Sequence, residues 1–113
     1  MSDYDDFALL FPQYNWGYPA VLKNALDYLY AEWAHKPVSI MCYGNHGGFQ
    51  GALAMGLVTN GLHMYGMATN PPLDINKTMF DENGQFKDLD TAFAKHQKSL
   101  ALVKQEFETL LID

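Results

Sequence analysis

The sequence has few of the features that mark secreted, membrane or nucleic-acid-binding proteins. A single cysteine, Cys42, among 113 residues excludes an intrachain disulfide and is typical of a reducing compartment. No apolar run approaches the roughly 20 residues that span a bilayer, and the acidic start lacks the basic stretch of a signal peptide. The formal net charge of −6 disfavours sequence-independent binding to nucleic acid, which requires a basic surface. We therefore expect a cytoplasmic protein that binds neither membranes nor nucleic acid, with Cys42 as a buried, inert thiol.

Residue patterns for conventional catalysis or metal binding are also missing. The sequence has no G-x-S-x-G, no C-x-x-C and no phosphate-binding strand–loop–helix before Phe7. The histidines lie in different elements without the spacing of metal ligands; they are His35, His46, His63 and His96. His96 lies on an apolar helical stripe and is interpreted as a packing residue at the edge of the core. No catalytic side chain and no metal site is predicted.

The composition indicates one globular α/β domain over residues 1–113. About half of the residues are apolar (49%) and 14% are aromatic, which is enough for one core. Phe7–Phe11 is apolar on both faces, which is typical of a central strand in a parallel sheet. It is nevertheless the first strand that this chain can form. Either something outside the segment covers one of its edges, or that edge is exposed.

Strand and helix patterns alternate along the rest of the chain. The predicted elements are a helix over Pro19–Ala34, a strand over Val38–Tyr43, a helix over Phe49–Asn60 capped by Gly61, a short strand over Leu62–Gly66, a turn at Asn83-Gly84, and a last helix with its N-cap at Asp88 or Asp90. This order predicts parallel strands joined by right-handed crossovers. Three such units are fewer than a doubly wound sheet usually contains.

Two turn-rich loops follow the first two strands and are the candidate binding elements. Pro12–Pro19 carries aromatic side chains, which can stack on a flat ligand or pack locally over the end of the sheet. Gly44–Gly48 allows close approach of backbone to a ligand, although a tight turn without a ligand explains it equally well. His46 in this loop can donate to a ligand carbonyl or face solvent. Because both loops follow adjacent parallel strands, one shared site is predicted.

The residues of these loops resemble the NADPH-dependent FMN reductase family, the flavodoxin-like flavin and quinone reductases. The first matching stretch is Pro12-Gln13-Tyr14-Asn15-Trp16-Gly17-Tyr18-Pro19 followed by Leu22-Lys23-Asn24-Ala25-Leu26-Asp27. The second is Lys36-Pro37-Val38 followed by Tyr43-Gly44-Asn45-His46-Gly47-Gly48. In that family the two stretches belong to the third strand with its loop and helix, and to the fourth strand with its loop. The match runs from Phe7 to about Gly66.

The resemblance implies an FMN cofactor, NAD(P)H as the hydride donor and a quinone or another small molecule as the acceptor. Residues implied to border the flavin ring are Pro12, Gln13, Tyr14, Asn15 and Trp16. Those implied at its pyrimidine side are Tyr43, Gly44, Gly47 and Gly48, with His46 in the same loop. In such chemistry the protein positions and tunes the cofactor, which agrees with the lack of an acid–base set.

The resemblance also implies the later half of a flavodoxin-like three-layer sandwich, N-terminally truncated, with three parallel strands and their helices. The family's first βαβα half, whose loop binds the FMN phosphate, is not part of the sequence. Three hypotheses stay open: a truncated reductase, a noncatalytic remnant that serves as an oligomerisation or protein-interaction module, and one piece of a split protein. A homodimer, or association with a chain that supplies the first half, is expected because an uncovered apolar strand favours association.

Overall fold

The computed structural model describes residues 6–75, 77–88 and 92–111. The described strands are β1 (Phe7–Pro12), β2 (Pro37–Gly44), β3 (Tyr65–Gly66) and β4 (Leu73–Asp74). The described α-helices are α1 (Ala20–Asp27), α2 (Phe49–Gly61) and α3 (Gln97–Leu111), and short 3-10 turns cover Ala31–Trp33, Asn45–Gly48, Lys77–Met79 and Ala94–His96. Strands and helices alternate as far as β3, as the sequence predicts.

The central strand of the sheet is β2. β1 pairs with β2 along its full length, from Phe7 opposite Val38 to Pro12 opposite Tyr43. β3 and β4 pair with the other edge of β2, β3 near its start and β4 near its end. All of these pairings are parallel, which confirms the predicted α/β fold with an open parallel sheet and helices.

One face of β1 is buried and the other is exposed. Leu9 and Phe11 belong to the core, whereas Leu10 between them is 61% exposed. β1 stands at the end of the strand order in the described sheet, with β2 as its neighbour. The second apolar face, which predicted a central strand, is therefore left uncovered by the described part of the chain.

The first helix is shorter than the predicted Pro19–Ala34. α1 has Pro19 as its N-cap residue and ends at Asp27. Trp33 lies in the following 3-10 turn and folds back, so that its indole Nε1 donates to the Leu26 carbonyl oxygen at 2.9 Å. The predicted helix was too long because burial of this indole, with its N–H satisfied, competes with continuing the helix.

α2 confirms the helix predicted over Phe49–Asn60, but the cap predicted at Gly61 is wrong. The residue in the left-handed conformation is His63, with a φ of 61°, and not Gly61. The N–H groups of His63 and Met64 donate to carbonyl oxygens of the last turn of α2, both at 3.0 Å, which is a Schellman motif. His63 and Met64 belong to this motif and not to the strand predicted over Leu62–Gly66, so β3 consists only of Tyr65–Gly66.

The strand beside β2 is split by residues Met67–Pro72, which we call the 67–72 segment. Within this gap the side chain of Asn70 bonds to β2 in place of a strand backbone. Its Oδ1 accepts from the Ile40 N–H at 2.8 Å, and its Nδ2 donates to the Met67 carbonyl oxygen at 2.8 Å. Two adjacent prolines, such as Pro71-Pro72, normally end regular structure, yet β4 begins directly after them.

The last helix, α3, begins at Gln97, well after the N-cap predicted at Asp88 or Asp90; Asp90 lies outside the described residues. In the segment before α3, the ring of Phe93 packs edge-on against the ring of Phe86, with ring centroids 5.6 Å apart. The turn predicted at Asn83-Gly84 is confirmed by a φ of 78° at Gly84. Within the described ranges, none of the helices combines the length and the apolar character of a membrane span.

Replacing two glycines of α2 by alanine is expected to change the free energy of unfolding in opposite directions. A Cβ on Gly51 would lie 2.7 Å from the Cys42 Sγ and 3.1 Å from the Gly17 carbonyl oxygen, whereas one on Gly56 would meet nothing within 4 Å. Gly51→Ala should lower the free energy of unfolding by about 1–3 kcal/mol through overpacking, and Gly56→Ala should raise it by about 1 kcal/mol. Urea unfolding measures both. A Gly51→Ala variant as stable as Gly56→Ala contradicts the close packing of α2 on β2.

Candidate functional site

The loop after β1 is a tight turn that presents two aromatic side chains. The Tyr14 N–H donates to the Gly17 carbonyl oxygen at 3.0 Å, and the Gly17 N–H donates to the Tyr14 carbonyl oxygen at 2.8 Å. Asn15 and Trp16 between them have φ values of 50° and 67°, as in a type I′ turn. Tyr14 and Trp16 are 59% and 71% exposed. Both rings are therefore largely open to a ligand rather than packed over the end of the sheet.

The loop after β2 is a 3-10 turn whose glycines have positive φ: 154° at Gly44, 74° at Gly47 and 63° at Gly48. A Cβ on Gly47 would lie 2.8 Å from the Pro72 Cβ, and one on Gly48 would lie 2.7 Å from the Cys42 Sγ. Both glycines are buried. Internal packing and backbone conformation thus already require glycine at these two positions, whether or not a ligand binds.

The two loops are joined by Gln13. Its backbone N–H donates to the Tyr43 carbonyl oxygen at 2.9 Å, which continues the pairing of β1 with β2. Its side-chain Oε1 accepts from the Gly51 N–H in the first turn of α2 at 2.7 Å. Gln13 therefore fixes the start of the loop after β1 relative to α2, the helix that follows the loop after β2. One shared edge, at the carboxyl ends of β1 and β2, carries both loops, as expected for a ligand crevice of an open α/β sheet.

The predicted site residues all belong to this edge but differ in exposure. Tyr14, Asn15 and Trp16 are exposed on the turn, Pro12, Gln13, Tyr43 and Gly44 are partly buried at the strand ends, and Gly47 and Gly48 are buried. The backbone of His46 belongs to the 3-10 turn, but its side chain lies outside what the structure describes. Donation from His46 to a ligand carbonyl therefore stays a prediction.

An ion pair and a histidine lie beside the end of β2. The Lys95 Nζ is 3.0 Å from the Asp74 Oδ2, and Asp74 in β4 pairs with Gly44. The Asp74 backbone N–H donates to the His96 Nε2 at 3.2 Å, so His96 is neutral in this arrangement. Burial, followed by the neighbouring Lys95 charge, lowers the pKa of His96 below its usual range and favours the same neutral form.

The thiol of Cys42 lies beneath the second loop and is 1% exposed. Burial raises the pKa of this thiol, which agrees with the predicted inert role. Among the residues that the structure describes, no three His, Cys, Asp or Glu side chains gather as metal ligands. A crevice of about 620 Å³ runs between α2 and the 67–72 segment and is lined in part by Phe49, Asn70 and Pro72.

Three residues that shape this region were not singled out from the sequence: Asn70, Pro72 and Glu106. Pro72 packs against Gly47. Glu106 bonds to Thr69, which is 37 positions earlier in the chain. A carboxylate on a helix gives no sequence signal for such a distant partner. Of these three residues, only Pro72 has a sequence signal, since two adjacent prolines restrict the backbone of a loop.

Comparison with known proteins shows the family. A profile of the NADPH-dependent FMN reductase family matches residues 1–74, which is more than half of the chain and contains both loops. The chain belongs to this family. The family match agrees with the resemblance carried by the residues of the two loops. α3 lies outside the matched range.

The relatives within the NADPH-dependent FMN reductase family are longer than this chain. An NAD(P)H-dependent FMN reductase of Schizosaccharomyces pombe is 41% identical over 106 residues, which cover 94% of this chain and 52% of that protein. An NAD(P)H-dependent FMN reductase of Saccharomyces cerevisiae is 50% identical over 60 residues, which cover 53% of this chain and 31% of that protein. The chain thus spans about half of the length of the first relative and about a third of the second.

A solved structure supports the fold. FerB, a flavoenzyme NAD(P)H:(acceptor) oxidoreductase from Paracoccus denitrificans, superposes with a TM-score of 0.65 at 21% sequence identity. The superposition covers 91% of this chain and 61% of FerB. At this identity the likeness bears on the architecture alone, and it agrees with a flavodoxin-like arrangement of the described strands and helices.

Proposed function

We propose that this chain forms the ring-binding part of a flavin site in an NAD(P)H-dependent FMN reductase. The observation that carries the proposal is the junction at Gln13, which holds two loops with the family's residues side by side at one edge of the sheet. A bound FMN would supply hydride transfer from NAD(P)H to a quinone or another small acceptor. The proposed setting is the cytoplasm, in keeping with a single buried free thiol.

The residues present fit a flat ring system. Tyr14 and Trp16 offer exposed aromatic surface, and the turn that carries them is fixed by two backbone hydrogen bonds. Gly44 has no side chain to block an approach along the end of β2. Pro12 and Tyr43 lie opposite one another in the β1–β2 pairing, which sets the separation of the two loops. These residues would bind and orient the ring and exclude water from one side of it.

The residues present fit the phosphate of FMN less well. The chain contains no arginine, and all seven of its cationic side chains are lysines. Lys23 is 2.7 Å from Asp27, and Lys95 is 3.0 Å from Asp74. A phosphate dianion is normally held by several charge-assisted hydrogen bonds. We therefore expect these 113 residues to bind FMN and riboflavin with affinities that differ by less than about threefold, or about 0.7 kcal/mol.

Fluorescence titration of the 113-residue chain with FMN and with riboflavin, at fixed ionic strength, tests the proposal. Trp16→Ala should weaken the binding of both flavins by about tenfold, or about 1.4 kcal/mol, because stacking surface is lost. Tyr28→Ala is the matched control, since Tyr28 is 85% exposed at the end of α1. Absence of binding by the parent chain contradicts the proposed function. A strong preference for FMN contradicts the phosphate argument. Gly47→Val is unsuitable as a test because its side chain would meet Pro72.

A second candidate function, an oligomerisation module, is favoured by the outer face of α2. Phe49, Leu53 and Leu57 recur every four residues and are 60%, 59% and 76% exposed. None of the 13 residues of α2 is charged, although the chain carries a net charge of −6. Two copies of α2 can therefore meet without like-charge repulsion.

We propose that the occupant of this face is α2 of a second copy, in a homodimer. A ridge of residues spaced by four fits the grooves between such ridges on another helix, and a two-fold contact presents the same face on both copies. A Cβ added to Gly56, which lies between Leu53 and Leu57, would meet nothing within 4 Å in the single chain, so this part of the face is open. A chain that carries the family's first half and pairs with β1 is the other partner that stays open.

A further inference from the structure

The middle of the 67–72 segment is held from two sides. From α3, the Glu106 carboxylate accepts the Thr69 backbone N–H at its Oε1, at 3.1 Å, and the Thr69 hydroxyl at its Oε2. From β2, the fully buried Ser39 donates from its Oγ to the Thr69 carbonyl oxygen at 2.9 Å. Three hydrogen bonds therefore fix Thr69 between the helix and the sheet.

The end of the same segment rests against the second loop. Pro72 lies so close to Gly47 that a Cβ there would be 2.8 Å from the Pro72 Cβ. Immediately after Pro72, β4 pairs with the end of β2, and the Ile75 N–H donates to the Gly44 carbonyl oxygen at 3.0 Å. A displacement of the 67–72 segment would therefore move the surface against which residues 44–48 pack, because close-packed contacts transmit such shifts.

We infer that Glu106 is a positioning residue for the loop of residues 44–48 and acts on it through Thr69 and Pro72. The coupling is a property of the chain itself; only its consequence for flavin binding rests on the proposed function. The two carboxylate oxygens match the two donors of Thr69. A glutamine can retain both contacts, because its amide oxygen accepts from the N–H and its amide nitrogen donates to the hydroxyl oxygen. An alanine removes both.

Hydrogen exchange of the flavin-free chain, followed by mass spectrometry, tests the coupling. Glu106→Ala should accelerate exchange on the order of tenfold in peptides that cover residues 67–75 and also in those that cover residues 44–48, because both hydrogen bonds between Thr69 and this side chain are lost. Glu106→Gln should restore most of the protection. Glu108→Ala is the matched control, since Glu108 is exposed on the same helix. Alanine is a strong helix former, so α3 should persist, and circular dichroism checks this.

Acceleration confined to residues 67–75, with residues 44–48 unchanged, overturns the inference. Equal acceleration in Glu106→Gln or in Glu108→Ala overturns it as well. A parallel FMN titration should show about tenfold weaker binding for Glu106→Ala and recovery for Glu106→Gln. If the parent chain fails to bind FMN, the proposed function is contradicted, while the exchange experiment still decides the positioning role.

Discussion

Replacing Trp33 by alanine is expected to lower the free energy of unfolding by about 3–5 kcal/mol, a large share of the roughly 5–15 kcal/mol typical of a domain. Trp33 is 4% exposed, and its indole N–H bonds to the Leu26 carbonyl oxygen. Its ring meets Phe7 edge-on, with centroids 5.0 Å apart. The substitution removes the side chain that connects the end of α1 to the start of β1. Urea unfolding followed by far-ultraviolet circular dichroism measures the loss.

Trp33→Phe is the matched control for this prediction, because it keeps an aromatic ring but removes the indole donor and part of the buried ring volume. The Leu26 carbonyl oxygen still accepts from the Leu29 N–H at 3.4 Å. The expected loss is therefore smaller, about 1–2 kcal/mol. If Trp33→Ala costs less than Trp33→Phe, or less than about 1 kcal/mol, the indole does not hold α1 against the sheet.

The second large effect is expected on association. At low micromolar concentration the chain should elute as a dimer, and Leu57→Glu should weaken the dimer by at least about a hundredfold, or about 2.7 kcal/mol. The reason is that a two-fold contact buries the introduced carboxylate twice, once in each copy, among apolar side chains. Leu57 is 76% exposed in the single chain, so the substitution should leave its fold intact. Size-exclusion chromatography with light scattering, over a range of concentrations, measures the mass.

Leu10→Glu separates the two surfaces that could associate. Leu10 is 61% exposed on β1, away from the outer face of α2. If Leu10→Glu dissociates the dimer and Leu57→Glu does not, the contact is made by the sheet face and the assignment to α2 is wrong. A parent chain that stays a folded monomer at every concentration contradicts self-association altogether.

The parallel sheet and the position of both loops were predictable from the sequence because they depend on local patterns. Phe7–Pro12 is a continuous apolar run, and Pro37–Gly44 is mainly apolar apart from Ser39, which is typical of strands in a parallel sheet. Once two such strands are adjacent, their carboxyl ends must share one edge. The loop residues also carry the resemblance that the family match confirms. The assignment of individual residues to a flavin ring stays a prediction.

The features that the sequence did not reveal depend on partners far along the chain. Asn70 bonds to the Ile40 backbone, 30 positions away, and Glu106 bonds to Thr69, 37 positions away. The cap of α2 was mispredicted for a different reason. Glycine adopts the left-handed conformation most readily, so the sequence favours Gly61 as the cap residue, whereas the left-handed residue is His63. There the chain tolerates a strained histidine since two hydrogen bonds satisfy the last carbonyl groups of α2. The conformational preference of one residue does not include the hydrogen bonds that the whole motif gains.

The thiol of Cys42 gives the protein a natural reporter of motion at the start of α2. A Cβ on either Gly48 or Gly51 would lie 2.7 Å from its Sγ, so the sulfur is enclosed by two backbone stretches and no water or reagent fits between them. A thiol-specific reagent can reach Cys42 only while the amino-terminal turn of α2 has moved away from β2. The rate of modification therefore measures how often this turn of α2 moves away from β2. A ligand that spans the two loops would slow that rate without touching the sulfur itself.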